Sequence, residues 1–174
     1  MDRVGQLDSG SDREVEMAAL QTVDHSALKV NQTGIVATVL VAYLGSLLWA
    51  PALFLIPLLA IVLLVGTFNP QLALFKQLYF NVLKPRGIVA ARPVQDRPEP
   101  HNFAQGLGGV FLAVSSLLIY GPLLTGNFQL NPFWIAGVAL ALLVAVLAFV
   151  NLAFGYCLGC QIYYQLGKRG LIRA

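Results

Sequence analysis

The chain has 174 residues, of which 57% are hydrophobic and 11% charged, against roughly 45–50% apolar and about 25% charged in soluble domains. With a mean hydropathy of +0.73, this excludes a disordered chain or a coiled coil and argues against a soluble globular domain. A net charge of +3 is too small for a nucleic-acid binder. What remains is an all-α integral membrane protein.

In chain order, residues 1–22 form a polar, acidic-leaning segment without the basic start and short apolar core of a signal peptide. This reads as a flexible leader, with a short helix over Asp12–Leu20, ahead of a single four-helix transmembrane domain over 23–174. No charged side chain occurs between Lys29 and Lys76, and none over the 68 residues between Glu99 and Lys168. A bilayer core takes about 20 apolar residues per helix, so each stretch holds two spans. Pro51, after Trp49-Ala50, starts a new helix. The spans are therefore placed at about 31–49, 52–67, 103–124 and 132–157. The first hairpin is short: sixteen residues at about 1.5 Å each reach only about 24 Å of a 30 Å core. Pro57 is expected to kink the second span, and span four to run on as helix to Leu166.

Between spans two and three, Leu72, Phe75, Leu78, Tyr79 and Val82 repeat at helical spacing, which predicts an amphipathic interfacial helix over 71–83. The following segment carries Pro85, Pro93, Pro98 and Pro100 and reads as an extended loop. All eleven Lys and Arg lie in the N-terminal segment, the central loop or the C-terminal tail. The positive-inside rule places those regions, and both termini, in the cytoplasm. Trp49, Phe128 and Trp134 would then sit at the outer interface.

Polar groups in spans are candidates for function. Asn151 reads as a helix-to-helix hydrogen bond, and Ser46, Ser115 and Ser116 as bonded within their own helices. The two cysteines form Cys157-Leu158-Gly159-Cys160. Residues i and i+3 share a helix face, so Cys157 and Cys160 form a candidate redox dithiol. The competing reading is two small apolar side chains that only pack. On a continuous span four, the pair would lie at a helix C-terminus, the wrong end for a thiolate. It would also point away from a Gly155/Gly159 stripe facing span three. His101 and His25 fall on the same side as the cysteines, so a tetrahedral zinc site from Cys157, Cys160, His101 and His25 is a weaker candidate. Asn102 is a candidate N-cap for span three.

The segments Val23–Gln32, Asn102–Gly108 and Phe154–Tyr164, the last containing the CLGC motif, resemble the bacterial membrane family called domain of unknown function 4395, over about residues 22–166. Where that family usually has arginines, this chain has Lys29 and Asn102. The resemblance implies four helices with a CxxC at the cytoplasmic end, and association with thioredoxin-like and sulfur-handling proteins. The expected function is a thiol–disulfide or sulfur-transfer component of a bacterial inner (cell) or internal membrane, with lipid and either a thioredoxin-like or sulfur-carrier protein or a larger membrane complex as partners. The alternatives are a non-enzymatic accessory subunit of a larger membrane complex and an oligomeric small-molecule permease.

Overall fold

The computed structural model describes residues 21–124 and 132–170. The expected helix over Asp12–Leu20 and the turn containing Phe128 lie outside these residues. Strand β1 (Gln21–Asp24) leads into helix α1 (His25–Ser46). A 3-10 turn (Ala50–Phe54) runs into α2 (Leu55–Phe68). Helix α3 (Leu74–Leu78) continues as a π turn through Leu83, and strand β2 (Pro93–Asp96) follows. Helices α4 (Pro98–Leu124), α5 (Pro132–Phe154) and α6 (Leu158–Lys168) complete the described chain.

Four segments, His25–Ser46, Ala50–Phe68, Pro98–Pro122 and Pro132–Phe154, are long and apolar enough to cross a membrane. The second is longer than its sequence pattern suggested. Its 5 residues of 3-10 helix and 14 of α-helix, at about 2.0 and 1.5 Å per residue, together reach about 31 Å, enough for a bilayer core. Pro57 sits in the first turn of α2, where its missing N–H costs that helix none of its own i→i−4 bonds.

Helix α4 packs between α2 and α5, and α1 packs on α5. The core is formed by Ile35, Val39 and Ala42 of α1, Ile56, Leu59, Ala60 and Leu63 of α2, Leu112 of α4, and Ala141, Val144, Ala145 and Ala148 of α5. The bundle-facing side of α5 is nearly all small residues, while its Leu142, Leu143, Val146 and Phe149 face outward. Leu117 of α4 is 72% exposed, an exposure suited to contact with lipid. Small residues inside and bulky aliphatics outside are the pattern expected where helices gain by close backbone approach rather than by leaving water. Ser46 and Ser116 bond within their own helices as expected, whereas Ser115 reaches across and donates to the Gly137 carbonyl of α5 (2.7 Å).

One end of the bundle is polar. There the loop expected after α3 is partly a strand: β2 pairs antiparallel with β1, Val23 opposite Val94 and Asp24 opposite Pro93. The ribbon is held by Asp24. Its carboxylate caps α1 by accepting from the Ser26 N–H (3.1 Å), and it also accepts from the Arg92 N–H (3.0 Å) and the buried Tyr79 hydroxyl (2.8 Å). The Ser26 hydroxyl donates to the Ala90 carbonyl (2.6 Å), and the His25 N–H to Arg92 (3.0 Å). Asn102 is not an N-cap, because α4 starts at Pro98; its side chain instead accepts from the Lys76 ammonium (3.3 Å).

Burial pushes the Asp24 carboxyl up, but the hydrogen bonds from Arg92, Tyr79 and Ser26, with the Lys84 charge, outweigh it and hold the group below its ordinary 3.8. Stability from a carboxylate so depressed is complete above 3.8 and is lost as pH falls through the lowered value. Replacing Asp24 with Ala should cost ~2–3 kcal/mol, through a lost cap and buried donors left unpaired. Thermal melting in detergent would read this as a lower midpoint at neutral pH and a smaller further loss in acid than the parent shows.

Candidate functional site

The site is built by a break in what the sequence suggested was one long helix. Helix α5 stops at Phe154. The Gly155 N–H bonds back to the Asn151 carbonyl (2.9 Å), and Gly155 takes φ +69, a left-handed conformation that glycine adopts without a Cβ penalty. The chain is then extended at Cys157, which is the N-cap of a new helix, α6. The expected continuous helix to Leu166 is therefore replaced by two helices, and this corrects both objections to the dithiol. The cysteines lie at a helix N-terminus, the end that stabilises negative charge. The left-handed turn also resets the helical phase, so the pair faces α4 rather than away from it.

Cys157 and Cys160 are joined as a disulfide, with Cα atoms 5.2 Å apart. The Cys157 sulfur accepts from the Cys160 N–H (3.2 Å). Cys157 is part-exposed, whereas Cys160 is buried at 8% exposure. Docking of α6 depends on Gly159: a Cβ there would lie 2.8 Å from the Cα of Ala104. Phe103 and Tyr163 pack beside this contact, ring centroids 5.5 Å apart. Gly155 faces open space, so the expected two-glycine stripe reduces to one close approach.

Two histidines and an aspartate extend the site. His101 of α4 places Nδ1 3.7 Å from the Cys160 sulfur and Nε2 3.1 Å from the Asp96 carboxylate. His25, the first residue of α1, approaches the same Asp96 oxygen through Nε2 at 3.3 Å. The two imidazoles meet edge to face, centroids 6.1 Å apart. An ionised carboxylate can only accept, so Asp96 requires a proton on His101 Nε2, which in the neutral ring leaves the Nδ1 lone pair toward sulfur. The Asp96 carboxyl is pushed up by burial but more strongly held down by its bond to His101, the Arg97 N–H, the His101 charge and the bond to His25, so it stays below its ordinary value. The order sulfur, imidazole, carboxylate is the arrangement in which a base is oriented by a third group.

The residues considered for zinc fall into two overlapping groups: His101 with Cys157 and Cys160, and His101 with His25 and Asp96. His101 presents a different nitrogen to each group, and His25 stands with Asp96 rather than with the sulfurs. The four residues thus do not converge on one point as a tetrahedral site requires. Asp96 was missed from the sequence. Its signal was faint: one acidic residue in a proline-rich segment, made relevant only by the pairing of β2 with β1.

A protein-family comparison matches residues 23–168 to the family described as "Domain of unknown function (DUF4395)". The fold and site define a polytopic membrane protein of four apolar helices with a C-terminal cysteine pair. The chain belongs to the DUF4395 family. No curated protein and no solved structure matches it.

Because a Cβ at position 159 would meet Ala104 Cα, a backbone atom, at 2.8 Å as well as the short Ala104 side chain, G159A must push α6 off α4. We expect a loss of ~1–3 kcal/mol, typical of overpacking, and faster alkylation of Cys160 after reduction. Mass-spectrometric counting of labelled thiols over time measures the second effect.

Proposed function

We propose that the protein is a thiol–disulfide exchange or sulfur-transfer component of a bacterial inner membrane, working through Cys157 and Cys160. The observation that carries this reading is the Cys160–His101–Asp96 alignment beside a part-exposed cysteine at a helix N-terminus. Cys157 is the sulfur a partner reaches. Its thiolate attacks the partner's disulfide, forming a mixed disulfide and releasing one partner thiolate. His101 Nδ1 then takes the Cys160 proton, and the Cys160 thiolate attacks the Cys157 sulfur. This forms the internal disulfide and frees the second partner thiolate, so two electrons have passed from the dithiol to the partner. The reverse sequence reduces the internal disulfide.

Lys29, Lys76, Lys84, Arg92, Arg97 and Lys168 belong to the segments that meet at the disulfide end of the bundle. By the positive-inside rule that end, with both termini, faces the cytoplasm. A static structural disulfide is disfavoured in that reducing compartment, which supports a pair that cycles. The fitting partner is a thioredoxin-like or sulfur-carrier protein that presents its own reactive sulfur to Cys157.

The test is exchange between the reduced protein and oxidised glutathione, followed by differential alkylation. C160S should accumulate the mixed disulfide on Cys157, and C157S should abolish exchange. A free thiol with a pKa of about 8.5 is only ~3% ionised at pH 7. H101A should therefore slow resolution of the mixed disulfide up to about thirtyfold at pH 7, with most of the rate regained by pH 9. Thiols that stay reduced under oxidants, or an H101A profile like the parent's, would overturn the reading.

A further inference from the structure

A half-open pocket of about 110 Å³ lies beside Cys157, lined by α1, α2, α4, α5 and α6. Its lining is ordered along three helices. On α1, Asn31 and Gln32 come at the disulfide end and Ile35 one turn deeper. On α4, Gln105 is followed by Gly108 and Phe111. On α5, which runs the other way, Asn151 is nearest the cysteines, with Ala148 and Val144 deeper. Amides thus cluster next to the sulfur, and the far end is hydrocarbon. No Asp, Glu, Lys, Arg or His is among the lining residues.

The amides are not used up by the fold. Asn31 is buried at 5% exposure, and among the described residues its side chain has no hydrogen-bond partner. The side chain of Asn151, expected to bond a neighbouring helix, likewise has none. Gln105 gives one N–H to the Leu63 carbonyl (3.1 Å), which leaves its other N–H and its oxygen free. These amides open onto the pocket, where water can satisfy them, and a ligand that accepts from them would take the place of that water. Such a ligand is uncharged, carries carbonyl-type oxygens on a compact apolar body, and is small. The space suits one ring and falls well below the several hundred Å³ of a drug-sized pocket.

We propose that this cavity binds the head ring of a lipid-soluble quinone, and that the quinone is the membrane-borne electron partner of the Cys157–Cys160 pair. The proposal rests on the dithiol reading above. It accounts for a pocket that touches Cys157 and for the absence of any charged group in its lining. In the forward step, the reduced pair gives two electrons and two protons to the quinone. Two S–H bonds break, the Cys157–Cys160 bond forms, and two O–H bonds form as the quinone becomes a quinol. The quinol leaves into lipid, and two thiols of a partner reduce the Cys157–Cys160 disulfide again, themselves becoming a disulfide. The reverse step is balanced in the same way.

The test uses the full chain in lipid nanodiscs, reduced and freed of oxygen, with decylubiquinone as probe and oxidised glutathione as a second oxidant that reaches the sulfurs from water. We expect one quinol per disulfide formed. N31L removes an amide at similar volume, and A148L fills the cavity. Each should slow oxidation by decylubiquinone at least tenfold while leaving oxidation by glutathione within twofold. Two variants at different points of the lining separate loss of the site from misfolding, which would slow both oxidants. If glutathione oxidises the pair and decylubiquinone does not, or if both variants react with the quinone at the parent rate, the quinone site is wrong and the dithiol reading stands. If neither oxidant forms the disulfide, the dithiol reading itself fails.

Discussion

The left-handed turn at Gly155 is the constraint on which the site depends. Twenty-three residues of α5 are apolar on almost every side and offer no preferred face beyond their small residues. Left to continue, the helix would carry the cysteines past the end of the bundle at a phase set by packing far below them. The turn at φ +69 ends that inheritance. It frees Cys157 to take an extended conformation, start α6, and accept the Cys160 N–H. A disulfide between residues three apart needs local freedom of this kind, and the first turn of a helix provides it. Gly159 then lets α6 lie against Ala104 closely enough for Cys160 to reach His101.

The second structural theme is how a bundle with an uncharged interior ends. Backbone and side-chain polar groups must find partners wherever water is excluded. At the disulfide end this is done by two aspartates. Asp24 ties α1 to the segment before β2 and to Tyr79 of the π turn. Asp96 ties α1 to α4 through two histidines. Both carboxylates sit on the two-stranded ribbon, so the ribbon fixes where they stand. The ribbon is therefore part of the site although it contributes no sulfur chemistry. Its pairing of Gln21 with Asp96 is what brings residues seventy-five positions apart into register.

Much of the fold could be read from where charge is missing, because ionised groups are so costly in hydrocarbon that their absence over long stretches leaves few alternatives. The positions of Pro51 and Pro132 located helix starts correctly, since proline fits a first turn and little else in a span. The length of the second span was underestimated, because nothing in Ala50–Phe54 distinguishes the longer rise of a 3-10 turn from ordinary helix. The cysteine pair was legible as a motif, and His101 as its neighbour by topology. Its environment was not. A glycine at the end of an apolar run is tolerated in a helix as easily as it terminates one. Here that single ambiguity inverted the electrostatic argument about the dithiol. The ribbon was hidden for a different reason: Thr22-Val23 and Val94-Gln95 are too short to show alternation, and they pair only because α1 and α4 bring their starts together.

The same geometry explains why the two sulfurs are not equivalent. Cys160 is enclosed by α4 and has a base at its side; Cys157 sits between the polar end of the bundle and the pocket beside it. A sulfur with access in two directions is suited to hand electrons on, and one with a base and no access is suited to close the bond. Helix dipole and backbone N–H favour charge on the accessible sulfur, while in the proposed exchange the His101–Asp96 pair would manage the proton of the enclosed one. Exchanging the two positions in sequence would put the base beside the sulfur that needs it least. In the proposed exchange, the order CxxC on a helix N-terminus would therefore carry the direction of the chemistry as well as its location.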